Sequence, residues 1–234
     1  MSPEHQSPEH DNTQHDNTEH QSLRDLLRKA RVRAEAPDFD PDEAPADPVG
    51  LFREWLTAAV DGGVPQPEAM TLATSSPTGD VTARTLLLKD LDDAFWFASS
   101  SLSPKGRQLN QNPRVALTFY WREQGRQVRV LGEASRGPRD VSAADFTARH
   151  PDSRAVAIAQ RQSTPIDDAQ DAEARLAEAK ERIASDDEFT PDDWTAYRVA
   201  PTAIEFWQAT TGRDQVRLRY DRTPDGWDRA TLWP

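Results

Sequence analysis

From residue 47 onward, apolar positions recur first at a helical spacing and then at every second residue. Asp47 has the side chain of an N-cap and Pro48 suits a first helical position. Phe52, Trp55, Leu56, Ala59 and Val60 then share one helical face, and Gly62-Gly63 supplies a stop. Beyond it the period shortens to two. AMTLATSS, a turn at Pro77–Asp80 and VTARTLLLKD predict a hairpin, and AFWFASS, RVALTFYW and RQVRVLGEASR predict three further strands. A short helix from near Ser103 (SPKGRQLNQN) falls between the third and fourth strands. Residues 139–149 and 168–185 predict helices, the second with Asp171/Arg175 and Glu178/Arg182 at i, i+4. AYRVAPTAIEFWQA, QVRLRYD and GWDRATLWP return to strands. Hairpin-linked strands with helices at their edges predict an α+β fold built on an antiparallel barrel.

The first 46 residues read differently. Residues 1–22 are a tandem array, SPEHQ, SPEH, DNTQH and DNTEH, that spaces His5, His10, His15 and His20 five apart. With so few apolar groups it reads as a disordered repeat, the alternative being a weak metal-collecting tail. LRDLLRKARVR is a short basic amphipathic stretch, and APDFDPDEAPADP an acidic, proline-rich linker. Residues 1–46 are therefore expected to be tail and linker, and 47–234 one folded domain.

Composition narrows the function. The 234 residues carry 28 Lys and Arg against 40 Asp and Glu, a net charge of -12, which disfavours a general nucleic-acid binder. The absence of cysteine excludes disulfides, thiolate metal sites and Cys nucleophiles. No apolar run approaches the roughly 20 residues that span a bilayer. MSPEHQSPEH lacks the basic and apolar regions of a signal peptide, so the expected address is the cytoplasm, with no membrane partner. HExxH, GxSxG and GxGxxG are absent, no metal site is expected, and His150 reads as a surface or cap residue. What stands out is a set of cations and amides on strands and turns: Arg84, Lys89, Lys105, Arg107, Gln127, Arg149, Gln162, Arg213 and Arg217. They fit either salt bridges to the abundant carboxylates or a site for a phosphate-bearing small molecule.

ADPVGLFREWL, ARTLLLKD, SPKGRQLNQNPRVAL, GRQVRVLGEASR, QRQS and IEFWQ, in this order, resemble the FMN-dependent pyridoxine/pyridoxamine 5'-phosphate oxidase family from about Asp47 to Pro234. FYWRE, QRQSTPIDD and LRYDR are similar to its phenazine-biosynthesis branch. The resemblance implies a homodimeric antiparallel split β-barrel with peripheral helices, C-terminal dimerisation strands and FMN at the subunit interface. It implies that Arg84 and Lys105 bind the FMN phosphate, that Lys89 lies between cofactor and substrate, and that Ser99 is a strand-end hydroxyl near the flavin. Gln127 would contact the flavin ring, Gln162 and Ser163 would come from the partner subunit, and Trp207 and Arg217 would close the site. Lys89, Asp145, Arg149, Ser153, Arg213 and Gln215 fall at substrate positions, with Arg213 and Gln215 orienting the reacting ring.

Three departures bear on the client. Pro104 replaces a family arginine, which lowers the expected FMN affinity or shifts the load to Arg107. Asp145 stands where the family has a phosphate-clamping tyrosine, and Gln215 where it has a histidine. At about 4 Å and an effective dielectric near 20, Asp145 opposes an anion by about 4 kcal/mol unless Arg149, at i+4, pairs with it. The expectation is an FMN-dependent oxidase that takes hydride from a small dihydro-aromatic or heterocyclic substrate to flavin N5 and passes the electrons to O₂, giving H₂O₂, in specialised natural-product metabolism. A vitamin B6 phosphate oxidase is the alternative, and a non-catalytic FMN carrier the third reading.

Overall fold

The computed structural model describes residues 38–210 and 215–234. The histidine repeat, the basic segment and Arg213 lie outside the described residues. Helix α1 (Pro48–Asp61) begins as its sequence predicts: the Asp47 carboxylate accepts from the backbone N–H of Val49 and Gly50, and Pro48 occupies the first turn. Gly62 caps the far end and Gly63 follows with φ 70°, a left-handed value that glycine adopts without strain. The helix buries Phe52, Trp55 and Ala59. Phe52 meets Phe95 and Phe119 edge-on at 4.9 and 4.8 Å, so α1 plugs the interior of the sheet.

That sheet comprises β1 (Ala69–Ser75), β2 (Val81–Leu87), β3 (Asp90–Leu91), β4 (Phe95–Ser100), β5 (Arg114–Trp121), β6 (Arg126–Arg136), β7 (Trp194–Gln208), β8 (Val216–Thr223) and β9 (Gly226–Thr231). Its order is β2-β1-β5-β6-β7-β4-β3, all antiparallel, with β8 on β7 and β9 on β8. β7 explains the split. Its residues pair with β6 along nearly their whole length, while the opposite edge pairs with β4 through Val199 and with β8 from Ala203. Pro201 lies at the changeover, where the register against Leu131/Gly132 shifts and a missing N–H costs least. The alternation on β4 and β5 places Phe95, Phe97, Leu117, Phe119 and Trp121 in the core, as period two predicts.

The helices are α2 (Pro104–Gln111), α3 (Arg139–Thr147), α4 (Pro151–Ala159) and α5 (Ala169–Ser185). α5 starts on Asp168, whose side chain accepts from the N–H of Gln170 and Asp171, and Arg175 pairs with Asp171 at 2.7 Å. α4 is an addition to the elements predicted from sequence; its N-cap is His150, whose Nδ1 accepts from the Asp152 N–H at 3.3 Å. Residues 38–46 pack on the barrel. Phe39 stacks edge-on against Trp55, Tyr220 donates to the Pro45 carbonyl at 2.7 Å, and Arg229 donates to the carbonyls of Ala44 and Asp42. No helix among the described residues is long and apolar enough to cross a membrane.

Candidate active site

The most unusual side chain in the barrel is a lysine. Ser103 caps α2 and Pro104 opens it, so Lys105 sits in the first turn and is buried. Its ammonium donates to Ser99 Oγ at 2.9 Å, Ser103 Oγ at 3.3 Å and Gln162 Oε1 at 3.1 Å. Arg84, on β2, donates to Thr74 Oγ1 at 2.7 Å, Thr82 Oγ1 at 2.6 Å and the Leu72 carbonyl at 3.1 Å. Among the described residues neither cation makes an ion pair. Burial, and then the neighbouring Arg84 charge, push the Lys105 amine down to about 8. A buried and a half-buried like charge surrounded by hydroxyls lack only an anion, and the dianionic phosphate of FMN fits that deficit. Gly106 makes the arrangement possible: a Cβ there would lie 2.5 Å from the Ser101 carbonyl oxygen.

The depressed amine fixes a pH dependence. Below about pH 8 the ammonium is already present; above it, phosphate binding must first draw a proton onto Lys105. FMN affinity is expected to be flat from pH 6.5 to 7.5 and to fall by up to about tenfold per pH unit above 8. Fluorescence titration checks this, and Lys105→Met should flatten the profile. The flavin-free protein should gain stability from this group between about 8 and its ordinary value of 10.5, because the unfolded chain there holds the extra proton.

A second cluster crosses β6, β7 and β8. Gln127 pairs in register with Trp207, and Trp207 with Arg217. The Trp207 indole donates to Gln215 Oε1 at 2.8 Å. Arg217 is held in a fork by buried Glu205, with both of its bonds to Oε1 at 2.7 and 3.0 Å, and Arg129 meets the other oxygen at 3.0 Å. Along the sheet, β2 and β6 are three strand spacings apart, about 14 Å.

A third cluster brings together four residues placed at substrate positions from sequence. Lys89 Nζ lies 3.5 Å from Asp145 Oδ1, and the Trp194 indole donates to Asp145 Oδ2 at 2.9 Å. The Arg149 guanidinium lies over the Trp194 ring, 4.5 Å from its centroid, and donates to the Ser153 carbonyl at 3.4 Å. Burial lowers the Arg149 pKa, while Asp145 acts to raise it.

Some expected contacts differ. Asp145 pairs with Lys89 and Trp194 rather than forming the i+4 salt bridge to Arg149 that local spacing suggests. Gln162 meets Lys105 of its own chain, while Ser163 beside it holds a left-handed φ of 66°, costing about 1 kcal/mol or more. Both line a cleft of about 830 Å³ between α4, residues 160–168 and α5. Arg107, two residues from Lys105 and exposed, lies on another side of α2. Trp194 and Glu205 were not among the sequence candidates; a tryptophan opening a strand and a carboxylate between apolar neighbours are the signals that mark them. Among the described residues no cluster suits a metal ion.

A split antiparallel barrel carrying a Lys–Arg cradle, unpaired among the described residues, suits a phosphate-bearing cofactor, and its relatives place the chain in the split-barrel class of flavoprotein oxidoreductases. Comparison with known proteins gives the family. Residues 56–208 match the model of pyridoxamine 5'-phosphate oxidase, and residues 194–234 that of the pyridoxine 5'-phosphate oxidase C-terminal dimerisation region. The pyridoxine/pyridoxamine 5'-phosphate oxidase of Rubrobacter xylanophilus is 42% identical over 90% of this chain and 97% of its own. That of Thermosynechococcus vestitus is 43% identical over 82% and 91%. PhzG from Burkholderia lata, solved with tetrahydrophenazine-1-carboxylic acid, superposes with a TM-score of 0.81 at 28% identity, covering 87% of this chain and all of that one. The chain belongs to the pyridoxamine 5'-phosphate oxidase family.

Proposed function

We propose that this protein is an FMN-dependent oxidase of a small ring substrate, working as a homodimer. The observation that carries the reading is the buried Lys105 ammonium beside Arg84, ringed by Ser99, Ser103 and Thr74 hydroxyls and without a carboxylate partner among the described residues. Bound FMN would supply the redox chemistry, taking hydride from a substrate carbon and handing two electrons to O₂ to give H₂O₂. The protein's part is binding and orientation. Lys105 and Arg84 hold the phosphate; Gln127, Trp207 and Arg217 border the ring; Glu205 keeps Arg217 in place. Gln215, anchored by Trp207, orients the substrate together with Arg213.

A dimer in which each copy lends part of the other's site fits the separation, in one chain, of the phosphate cradle from the Gln127–Trp207–Arg217 row. The resemblance gives Gln162 and Ser163 to the partner's side of the site; in the single chain Gln162 meets its own Lys105, and the Gln127–Trp207–Arg217 row is a further candidate for the partner's contribution. Exposed Val81, Leu87, Tyr120 and Leu131 leave apolar sheet surface for a second copy, and the match to a dimerisation region supports it.

For the client, Asp145 among the cations at Lys89 and Arg149 favours a dihydro-aromatic or heterocyclic compound over a vitamin phosphate. The second reading, a pyridoxine/pyridoxamine 5'-phosphate oxidase, is favoured by the names of the relatives above 40% identity and by the retained Lys89, Arg149 and Ser153. An anaerobic titration decides. Under the first reading, pyridoxine and pyridoxamine phosphates leave the oxidised flavin band standing, while dihydro-aromatic acids bleach it and release peroxide on readmission of air. Rapid bleaching by the vitamin phosphates selects the second. A flavin that only chemical reductants bleach refutes both.

A further inference from the structure

We propose that Trp194 is a positioning residue of the substrate clamp, and that the Asp145 carboxylate it holds restricts the clamp to clients with a single negative charge at that end. This rests on the reading of the site as a substrate pocket and adds the charge of its client and the device that sets it. Trp194 opens β7 and is buried. One edge of its indole fixes Asp145 through the N–H, and its face carries the Arg149 guanidinium. Asp145 is thereby held at both oxygens, Oδ2 by the indole and Oδ1 by Lys89. Its side chain is only 15% exposed.

The charge count follows. Lys89 and Arg149 contribute two positive charges and Asp145 one negative, leaving the clamp at plus one. The Arg149 guanidinium has the Ser153 carbonyl as its hydrogen-bonded acceptor, its Nε being buried without one among the described residues, and the Lys89 side chain is partly exposed, so both cations keep charge to offer a client. A monoanion neutralises the clamp. A dianion leaves it negative and lies against a carboxylate that the Trp194 indole holds in place. Trp194 thus acts on the client through Asp145 and Arg149 rather than by touching the reacting atoms.

The test uses the flavin-loaded protein at pH 8 and two probes with the same ring, benzoate (one charge) and phenyl phosphate (two, its second pKa being about 6), titrated calorimetrically. Wild type is expected to bind benzoate at least as tightly as phenyl phosphate. Asp145→Asn keeps an acceptor for the indole but removes the charge; it should tighten phenyl phosphate about tenfold and change benzoate less than about threefold. Trp194→Phe should weaken benzoate about fivefold alone and have no further effect in the Asp145→Asn background, a coupling that a merely packing role would not produce. Should Asp145→Asn melt early, Lys89→Met takes its place and should weaken benzoate about tenfold. Phenyl phosphate binding tenfold tighter than benzoate in wild type, an unchanged ratio in Asp145→Asn, unaltered benzoate affinity in Lys89→Met, or no binding of either probe would overturn the proposal. None of these readouts needs turnover, so failure of the oxidase reading registers separately, as flavin that no substrate reduces.

Discussion

Lys105→Met is expected to leave a protein that purifies nearly colourless. The ammonium contributes one charge-assisted hydrogen bond to a phosphate and relieves its own desolvation in doing so. Loss of such a bond costs about 1.5–3 kcal/mol, or ten- to more than a hundredfold in FMN affinity. Arg84→Ala should act in the same direction. The double variant should fall short of the product of the two effects, because both cations address one phosphate. Stability gives an independent sign. Without flavin, Lys105→Met removes a buried cation that has no ion pair among the described residues, so the melting temperature should hold or rise. With added FMN, the wild type should gain several degrees and the variant almost none. Flavin content unchanged after desalting in both single variants would remove these residues from the cofactor site.

Gly106→Ala should do comparable damage by a steric route. The added methyl would lie 2.5 Å from the Ser101 carbonyl oxygen and 2.6 Å from its carbon and Cα, all backbone atoms that cannot swing aside. Either α2 lifts off β4 or the 101–103 turn deforms, at a cost of about 2–3 kcal/mol. In a domain of this size that is a fall of about 5–10 °C in melting temperature. Since Lys105 precedes Gly106 and Ser103 caps the same turn, flavin should be lost as well. Differential scanning calorimetry with and without FMN checks both effects; a variant with wild-type melting and flavin content would mean that the turn relaxes freely.

Much of this architecture was legible in the residues because it is local. Period two predicted every strand of the barrel longer than two residues, and Asp47, Ser103 and Asp168 each announce a helix by a side chain that can accept backbone N–H groups. α4 was harder to see: nine residues with a mixed face, opened by a histidine in a role that serine or aspartate usually fills. The site was legible as a list more than as a set of contacts. Which cation meets which carboxylate is decided by strands distant in sequence. Asp145 is four residues from Arg149, yet its ion-pair partner is Lys89 on the β2–β3 connection and its hydrogen-bond donor is Trp194 at the start of β7. The Lys105–Gln162 contact, across 57 positions, is equally invisible to spacing rules.

The position of β7 also bears on how the chain is made. β4, whose inward face is Phe95 and Phe97, finds its long partner only in residues 194–199, about a hundred positions downstream. At ribosomal rates of about 5–20 residues per second, that partner follows β4 out some 5–20 s later. Through that interval FWFASS is an apolar strand with one edge unpaired, the kind of segment that aggregates or engages a chaperone. Expression at lower temperature or with holdase chaperones should therefore raise the soluble yield more than any change at the finished protein's surface.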